Sequence, residues 1–284
     1  MIRRVTALRR LLLVVLAAFV AACSHPAPGP SLTVASSADP QIALLANVYA
    51  AGLRYYGTDA KVQAVADPVA ALDTGKVSVA PGFTGRLLQR FAPGSAARSA
   101  EQVYRAMIGA LPEGVASADY AVAAEDKPAL AITAATAAAW GSHDLTAVVR
   151  RCAGLSLGVV AGVHAPTEVG ECTLPSARQF PDSAALFGAL RDGAVSAVWT
   201  TTADAGVPDG VVVLVDRKPT LVPAENVVAL YRRNELDKMQ LRAVNELAGV
   251  LDTASLIDMV RQVKAGADPR PVAEAWLAAN PLGR

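Results

Sequence analysis

Hydroxyls and carboxylates gather at a few points of this sequence where strands are expected to end. Ser36 and Ser37 precede Asp39, and Thr200, Thr201 and Thr202 precede Asp204. Phe83 and Thr84 stand between Gly82 and Gly85, Thr167 follows Ala165-Pro166, and Asp126 precedes an apolar run. Hydroxyls both donate and accept hydrogen bonds, whereas ionised carboxylates only accept. Such a set suits the grip of a small polar solute. Capping of helices and turns is the competing role for the serines, the threonines, Asp126 and Asp204. Glu225, next to Asn226, lies in an apolar setting; it is either a partner for a cationic ligand or a solvated carboxylate. The two glycines around Phe83-Thr84 let a backbone come close to something.

Bond-making chemistry has less support. His164, Glu168 and Cys172 recur every four residues, which on a helix would put three metal-ligand types on one face. Gly162, Pro166 and Gly170 argue against a helix there, so no metal site is expected. No nucleophile elbow, phosphate loop or dinucleotide glycine pattern occurs. The chain is read as a non-enzyme with no cofactor. Its 284 residues carry a net charge of +1 and are 53% hydrophobic, so nothing points to a nucleic-acid partner.

Arg3, Arg4, Arg9 and Arg10 precede the apolar run from Leu11 to Val20, which is short for a membrane span. Val20-Ala21-Ala22-Cys23 then looks like a bacterial lipobox. Residues 1–22 are therefore expected to be a lipoprotein signal peptide, with Cys23 lipidated on the extracytoplasmic face of the cell membrane. Residues 23–30 form a Pro-rich tether. Of three cysteines, Cys152 and Cys172 remain. Outside the cytoplasm they are expected to pair as a disulfide.

The elements that must hold the strand-end residues alternate. Strands are expected at Leu32–Ser36, Lys61–Ala66, from Val77, and at Ala129–Thr133, Leu155–Val160, Ala194–Thr200 and Val211–Val215. Between and after them come helices that begin near Asp39-Pro40, Asp67-Pro68, Ser99, Ala134, Asp144, Ser183, Asn234, Asp252 and Asp268. Asp-Pro at a helix start supplies an N-cap and a first-turn proline. Trp140 and Trp276 have apolar neighbours at helical spacing and are read as core. Single helices between strands imply an α/β chain with two mainly parallel sheets and flanking helices. Ligands of such sheets sit beyond the carboxyl ends of the strands.

Four segments add a resemblance. ALDTGKVSVAPGFTGRLL (71–88), EDKPALAI (125–132), GAVSAVWTTTAD (193–204) and VDRKPTLVPAENVVALYR (215–232) are similar, in order, to segments of the ProX/OpuC-type substrate-binding proteins of ABC importers for glycine betaine, choline and related osmolytes. The resemblance implies a two-lobed, type II periplasmic-binding-protein-like fold. Lobe 1 would comprise 31–121 and 216–284, and lobe 2 would comprise 122–215. It also implies a monomer that closes on a small solute and hands it to an ABC permease in the membrane.

That family holds a quaternary ammonium in a box of aromatic rings. The matching positions here are Ala80, Pro128, Thr201 and Glu225, none of them aromatic, and Gly82 stands where the family has glutamate. Asp126, Asp204 and Asn226 keep their types, and Phe83 and Thr84 nearly do. Tyr120, Phe180 and Trp199 are the rings available as substitutes. Two functions follow: a lipid-anchored binding protein for a polar or zwitterionic solute, with the betaine box lost, or an envelope lipoprotein of the same fold that no longer serves transport.

Overall fold

Two aspartate–proline pairs open the first helices. Asp39 accepts the backbone N–H groups of Gln41 (2.7 Å) and Ile42 (3.4 Å), and Pro40 begins helix α1 (Pro40–Tyr55). Asp67 does the same for Val69 and Ala70 at the start of α2 (Pro68–Asp73). These helices connect strands β1 (Leu32–Ser36), β2 (Ala60–Ala64) and β3 (Val79–Phe83), all parallel. Helix α3 (Thr84–Phe91) follows β3 without a loop. Helix α4 (Ala100–Gly109) starts at a capping box of Ser99 and Gln102, and strand β4 (Val115–Ser117) comes next. The computed structural model describes residues 31–163 and 165–283, so Cys23, the tether and His164 lie outside the described residues.

The chain then crosses to a second sheet. It builds β5 (Pro128–Thr133), α5 (Ala134–Trp140), α6 (Thr146–Val149), β6 (Leu157–Val160), β7 (Glu168–Val169) and β8 (Cys172–Thr173). After these come β9 (Arg178–Phe180), α7 (Ser183–Arg191), β10 (Ala197–Thr201) and β11 (Val211–Val213). It returns through β12 (Val227–Arg232) and ends in α8 (Lys238–Val250), α9 (Thr253–Lys264) and α10 (Pro269–Ala279).

Among the described residues the strand orders are β2-β1-β3-β12-β4 and β11-β5-β10-β6-β9, with a separate β7–β8 hairpin. Both sheets are mixed, not mainly parallel. In the first, β12 pairs antiparallel with β3 and β4. In the second, β5 pairs antiparallel with β10 and β11. The crossing segments cause this, because each delivers a strand that enters its sheet from the opposite end. The sequence pattern predicts no strand at Val227–Arg232, yet its first four residues are fully buried in an interior strand of the first sheet.

Other limits shift for local reasons. The helix expected from Asp144 shortens to α6, followed by a 3-10 turn at Cys152–Gly154. The helix expected from Asn234 starts only at Lys238. Asn234 adopts φ 66°, a left-handed turn residue, and Asp237 with Gln240 forms the actual capping box. Trp276 packs in the core between α1 and the last helices, and Trp140 packs on the core of the second sheet. Cys152 and Cys172 are joined, with Cα atoms 5.7 Å apart, tying the 3-10 turn to the β7–β8 hairpin.

The two crossing segments lie against each other. Asp126 N–H donates to the Glu225 carbonyl (2.8 Å), Val227 N–H to Ala124 (3.0 Å) and Ala121 N–H to Val227 (2.8 Å). Lys127, buried, reaches Asp216 (3.5 Å) and Glu125 (3.6 Å), so it bridges both segments. Residues from Leu32 onward pack as one unit around this junction.

Candidate functional site

Beyond the carboxyl ends of β1, β3, β6 and β10 lies a cleft of about 620 Å³. That is where parallel strands place a ligand, because the following helices present their N-termini there. The first half contributes the start of α1 (Asp39, Pro40, Gln41), Arg86 and Gln89 of α3, Glu225, and Val260 and Lys264 of α9. The second contributes Asp126, Pro128, the end of β6 and the stretch after it, the start of α7, Trp199 to Thr201, Ala203 and Asp204. Arg86 and Gln89 are three residues apart and Val260 and Lys264 four apart, so each pair shares a helix face. The volume is in the range of small-molecule sites.

Three charged side chains meet on its floor. The Arg86 guanidinium binds the Asp126 carboxylate at 2.8 Å and lies 4.4 Å from the centre of the Phe83 ring. Asp126 Oδ1 also accepts the Ala203 N–H at 3.2 Å. Glu225 Oε2 accepts the backbone N–H of Arg86 at 2.9 Å. Phe83, the N-cap of α3, has no side-chain oxygen, so this distant carboxylate caps the helix instead. Glu225 is only 8% exposed. Burial pushes its pKa up to about 7, against the Arg86 N–H and charge, which lower it, while the Asp126 carboxylate raises it further.

The glycines of the β3–α3 corner serve the protein's own side chains. A Cβ at Gly85 would stand 2.6 Å from the Ala224 carbonyl and 2.8 Å from the Glu225 carboxyl carbon. At Gly82 it would meet Leu87 at 3.3 Å. The close approach expected from the sequence is therefore that of Glu225.

Of the residues singled out from the sequence, Asp39, Asp126, Thr200, Thr201, Asp204 and Glu225 line the cleft. Thr200 donates to Asp204 at 2.6 Å, and Asp204 accepts Gly206 N–H at 2.8 Å. The others lie elsewhere. Phe83 is core, and Thr84 is fully buried, its Oγ1 accepting Asn226 N–H at 3.0 Å. Asn226 Nδ2 donates to the Ala121 carbonyl at 3.0 Å. These three join β3, β12 and the first crossing segment. Ser36 is buried against its own turn, and Ser37 Oγ accepts Asp39 N–H at 3.3 Å. Thr167 is exposed and holds the β7–β8 hairpin through its carbonyl, which accepts Leu174 N–H. Its neighbour Pro166 reaches the cleft.

Arg86, Gln41, Gln89 and Lys264 were not anticipated. Arg86 has a readable signal, the third position of a helix that follows a strand's carboxyl end. Of the positions matched to aromatic rings, Pro128, Thr201 and Glu225 line the cleft, while Ala80 is core. Trp199 is the one aromatic residue of the lining among the described residues. Tyr120 stacks on Tyr104 with centroids 4.7 Å apart, and Phe180 belongs to the core of the second sheet.

Solved structures share this architecture. The match to a glycine betaine/carnitine/choline ABC transporter structure has a TM-score of 0.71 at 13% identity, covering 88% of this chain and 98% of that one. Lactococcal OpuAC, closed on glycine betaine, gives 0.52 at 12% identity, covering 88% and 96%. The fold is that of the type II periplasmic binding proteins. Apo YehZ from Escherichia coli has the same fold, with a TM-score of 0.70 at 19% identity over 89% of this chain and 99% of that one. In sequence, residues 177–279 match the family model described as the substrate binding domain of ABC-type glycine betaine transport system. That stretch holds β9 to β12, Glu225 and all of the last three helices. No curated protein sequence matches the chain. Within the type II binding-protein fold, this cleft of about 620 Å³ lies between the two sheets.

Proposed function

We propose that the protein is the extracytoplasmic substrate-binding component of an ABC importer, anchored to the membrane by lipid on Cys23. It takes a small polar or zwitterionic solute into the cleft and presents it to a permease. The observation that carries this reading is the cleft itself: about 620 Å³, beyond the strand ends of two sheets joined by two crossing segments, with polar groups converging from both sides. The match of residues 177–279 to the substrate-binding domain model supports it. The sequence Val20-Ala21-Ala22-Cys23 supports the anchor. That Trp199 is the one aromatic residue of the lining among the described residues supports the loss of a ring box.

A ligand that binds only the folded state raises its melting temperature by mass action. A thermal-shift panel of betaine, choline, carnitine, amino acids, polyamines and sugars should therefore give at least one hit. A folded protein that responds to none of them refutes the reading. The poverty of rings favours one alternative, an envelope lipoprotein that kept the fold without transport; it predicts no uptake defect when the gene is deleted.

A further inference from the structure

Resting on the binding function above, we propose that the cleft selects solutes whose cationic head carries N–H groups, an ammonium or a guanidinium, over permethylated ammonium solutes, and that Glu225 sets this preference. Among the described residues, the cleft lining holds four carboxylates, Asp39, Asp126, Asp204 and Glu225, against two cations, Arg86 and Lys264. The Arg86 guanidinium is committed to Asp126 at 2.8 Å. Glu225 takes only backbone N–H from α3, and among the described residues it has no ion-pair partner within 4 Å. An ionised carboxylate has about four acceptor sites, so capacity remains for a ligand donor.

The two classes of cation need different partners. A permethylated ammonium has no N–H and is held by aromatic faces, each contributing modestly. Here, among the described residues, the lining offers one ring, Trp199. A primary ammonium or guanidinium instead forms charge-assisted hydrogen bonds, which are short and about twice as strong as neutral ones. One such bond amounts to a preference of about tenfold or more.

The same geometry couples binding to protons. The charged groups facing Glu225 are Arg86 from α3 and Asp126 from the first crossing segment, with Asp39, Asp204 and Lys264 on the rest of the lining. Burial is the largest influence and leaves the acid half-protonated near neutrality, at about 7. The cationic ligand binds the ionised form. As pH falls below about 7 that form is lost, and affinity weakens by about tenfold per pH unit.

Calorimetric titration of the wild type and E225Q at pH 8 and 5.5 tests this. Matched probes are ethanolamine against choline and glycine against glycine betaine, with putrescine, spermidine and arginine added. The ammonium groups of the two matched pairs stay charged across this range, so any titration seen with them belongs to the protein. Gln can still accept the Arg86 N–H, so the helix cap survives. The expected result is that the N–H member of a pair binds at least about tenfold tighter at pH 8 and weakens in acid. In E225Q both the preference and the pH dependence should vanish. Equal or tighter binding of the permethylated member overturns the inference but leaves solute binding intact. So does a pH dependence that persists in E225Q, or binding confined to uncharged solutes of the wider panel. No binding by any solute overturns both the inference and the function on which it rests.

Discussion

The Glu225 side chain caps helix α3 from across the chain, accepting the Arg86 backbone N–H at 2.9 Å over a sequence separation of 139 residues. One contact thus closes the β3–α3 corner, fixes the second crossing segment and puts a buried carboxylate on the cleft floor. Arg86 is shared between two tasks, its backbone serving Glu225 and its guanidinium serving Asp126.

Gly85 is the residue that permits this approach. In G85A the new methyl would collide with the Ala224 carbonyl and the Glu225 carboxyl carbon, both under 3 Å. Backbone cannot yield as a flexible side chain can, so a loss of about 1–3 kcal/mol is expected. G82A is the control: its methyl meets the mobile end of Leu87 at 3.3 Å, and little change is expected. Urea denaturation of both variants measures this. Equal midpoints for the two would show that the Glu225 contact does not restrict position 85.

Glu225 should also leave a mark on stability against pH. Its folded pKa is raised from 4.5 to about 7. Below 4.5 the acid is protonated in both states and costs nothing. Between 4.5 and 7 the unfolded chain ionises first, so stability falls as pH rises, by roughly 3 kcal/mol in all. E225Q lacks this loss. The stability of E225Q relative to wild type should therefore improve from pH 5 to pH 8, while contributions of unrelated groups cancel. A difference that stays constant between the two pH values contradicts the assigned burial.

The Arg86–Asp126 pair makes a third prediction. The Asp126 side chain is 5% exposed and that of Arg86 45%. Removing the arginine strands a buried carboxylate, whereas removing the half-exposed arginine together with the charge does not. R86A should lose about 2 kcal/mol, and R86A/D126N distinctly less. Chemical denaturation of the single and double variants decides. If the double variant is as unstable as the sum of its parts, the pair is not coupled.

Much of the scaffold was legible because its signals are local. Asp39-Pro40, Asp67-Pro68 and the Ser99/Gln102 box each satisfy orphan N–H groups within one turn. Strand ends were legible for the same reason, and they led to Asp39, Asp126, Thr200, Thr201 and Asp204; Glu225 stood out instead as a carboxylate in an apolar setting. Phe83, Thr84 and Asn226 read as ligand contacts because a hydroxyl or amide after a strand looks alike whether it faces a solute or a neighbouring strand. Here the neighbour is β12, whose place beside β3 is set by residues more than 140 positions away. The position of Arg86 after a strand's carboxyl end is a readable signal, but an arginine in a helix's first turn also fits a solvent-facing role. Its place in the cleft depends on Asp126, 40 positions on.

The last prediction concerns the second half. The β7–β8 hairpin is a two-stranded unit with two-residue strands, and such a unit has little stability of its own. Val169 and Cys172 bury themselves in the core of the second sheet, so the hairpin must stay docked for that core to close. The Cys152–Cys172 bond closes a loop with a sequence separation of 20 and restricts the unfolded chain accordingly. Its removal in C152S/C172S should cost about 3 kcal/mol. The loss should be concentrated in the second half, seen as faster amide exchange in β6 and β9, with the first sheet less affected. Two alkylatable thiols in the native, unreduced protein would end the argument, and uniform exchange through both sheets would show that the bond stabilises the whole fold instead of the hairpin.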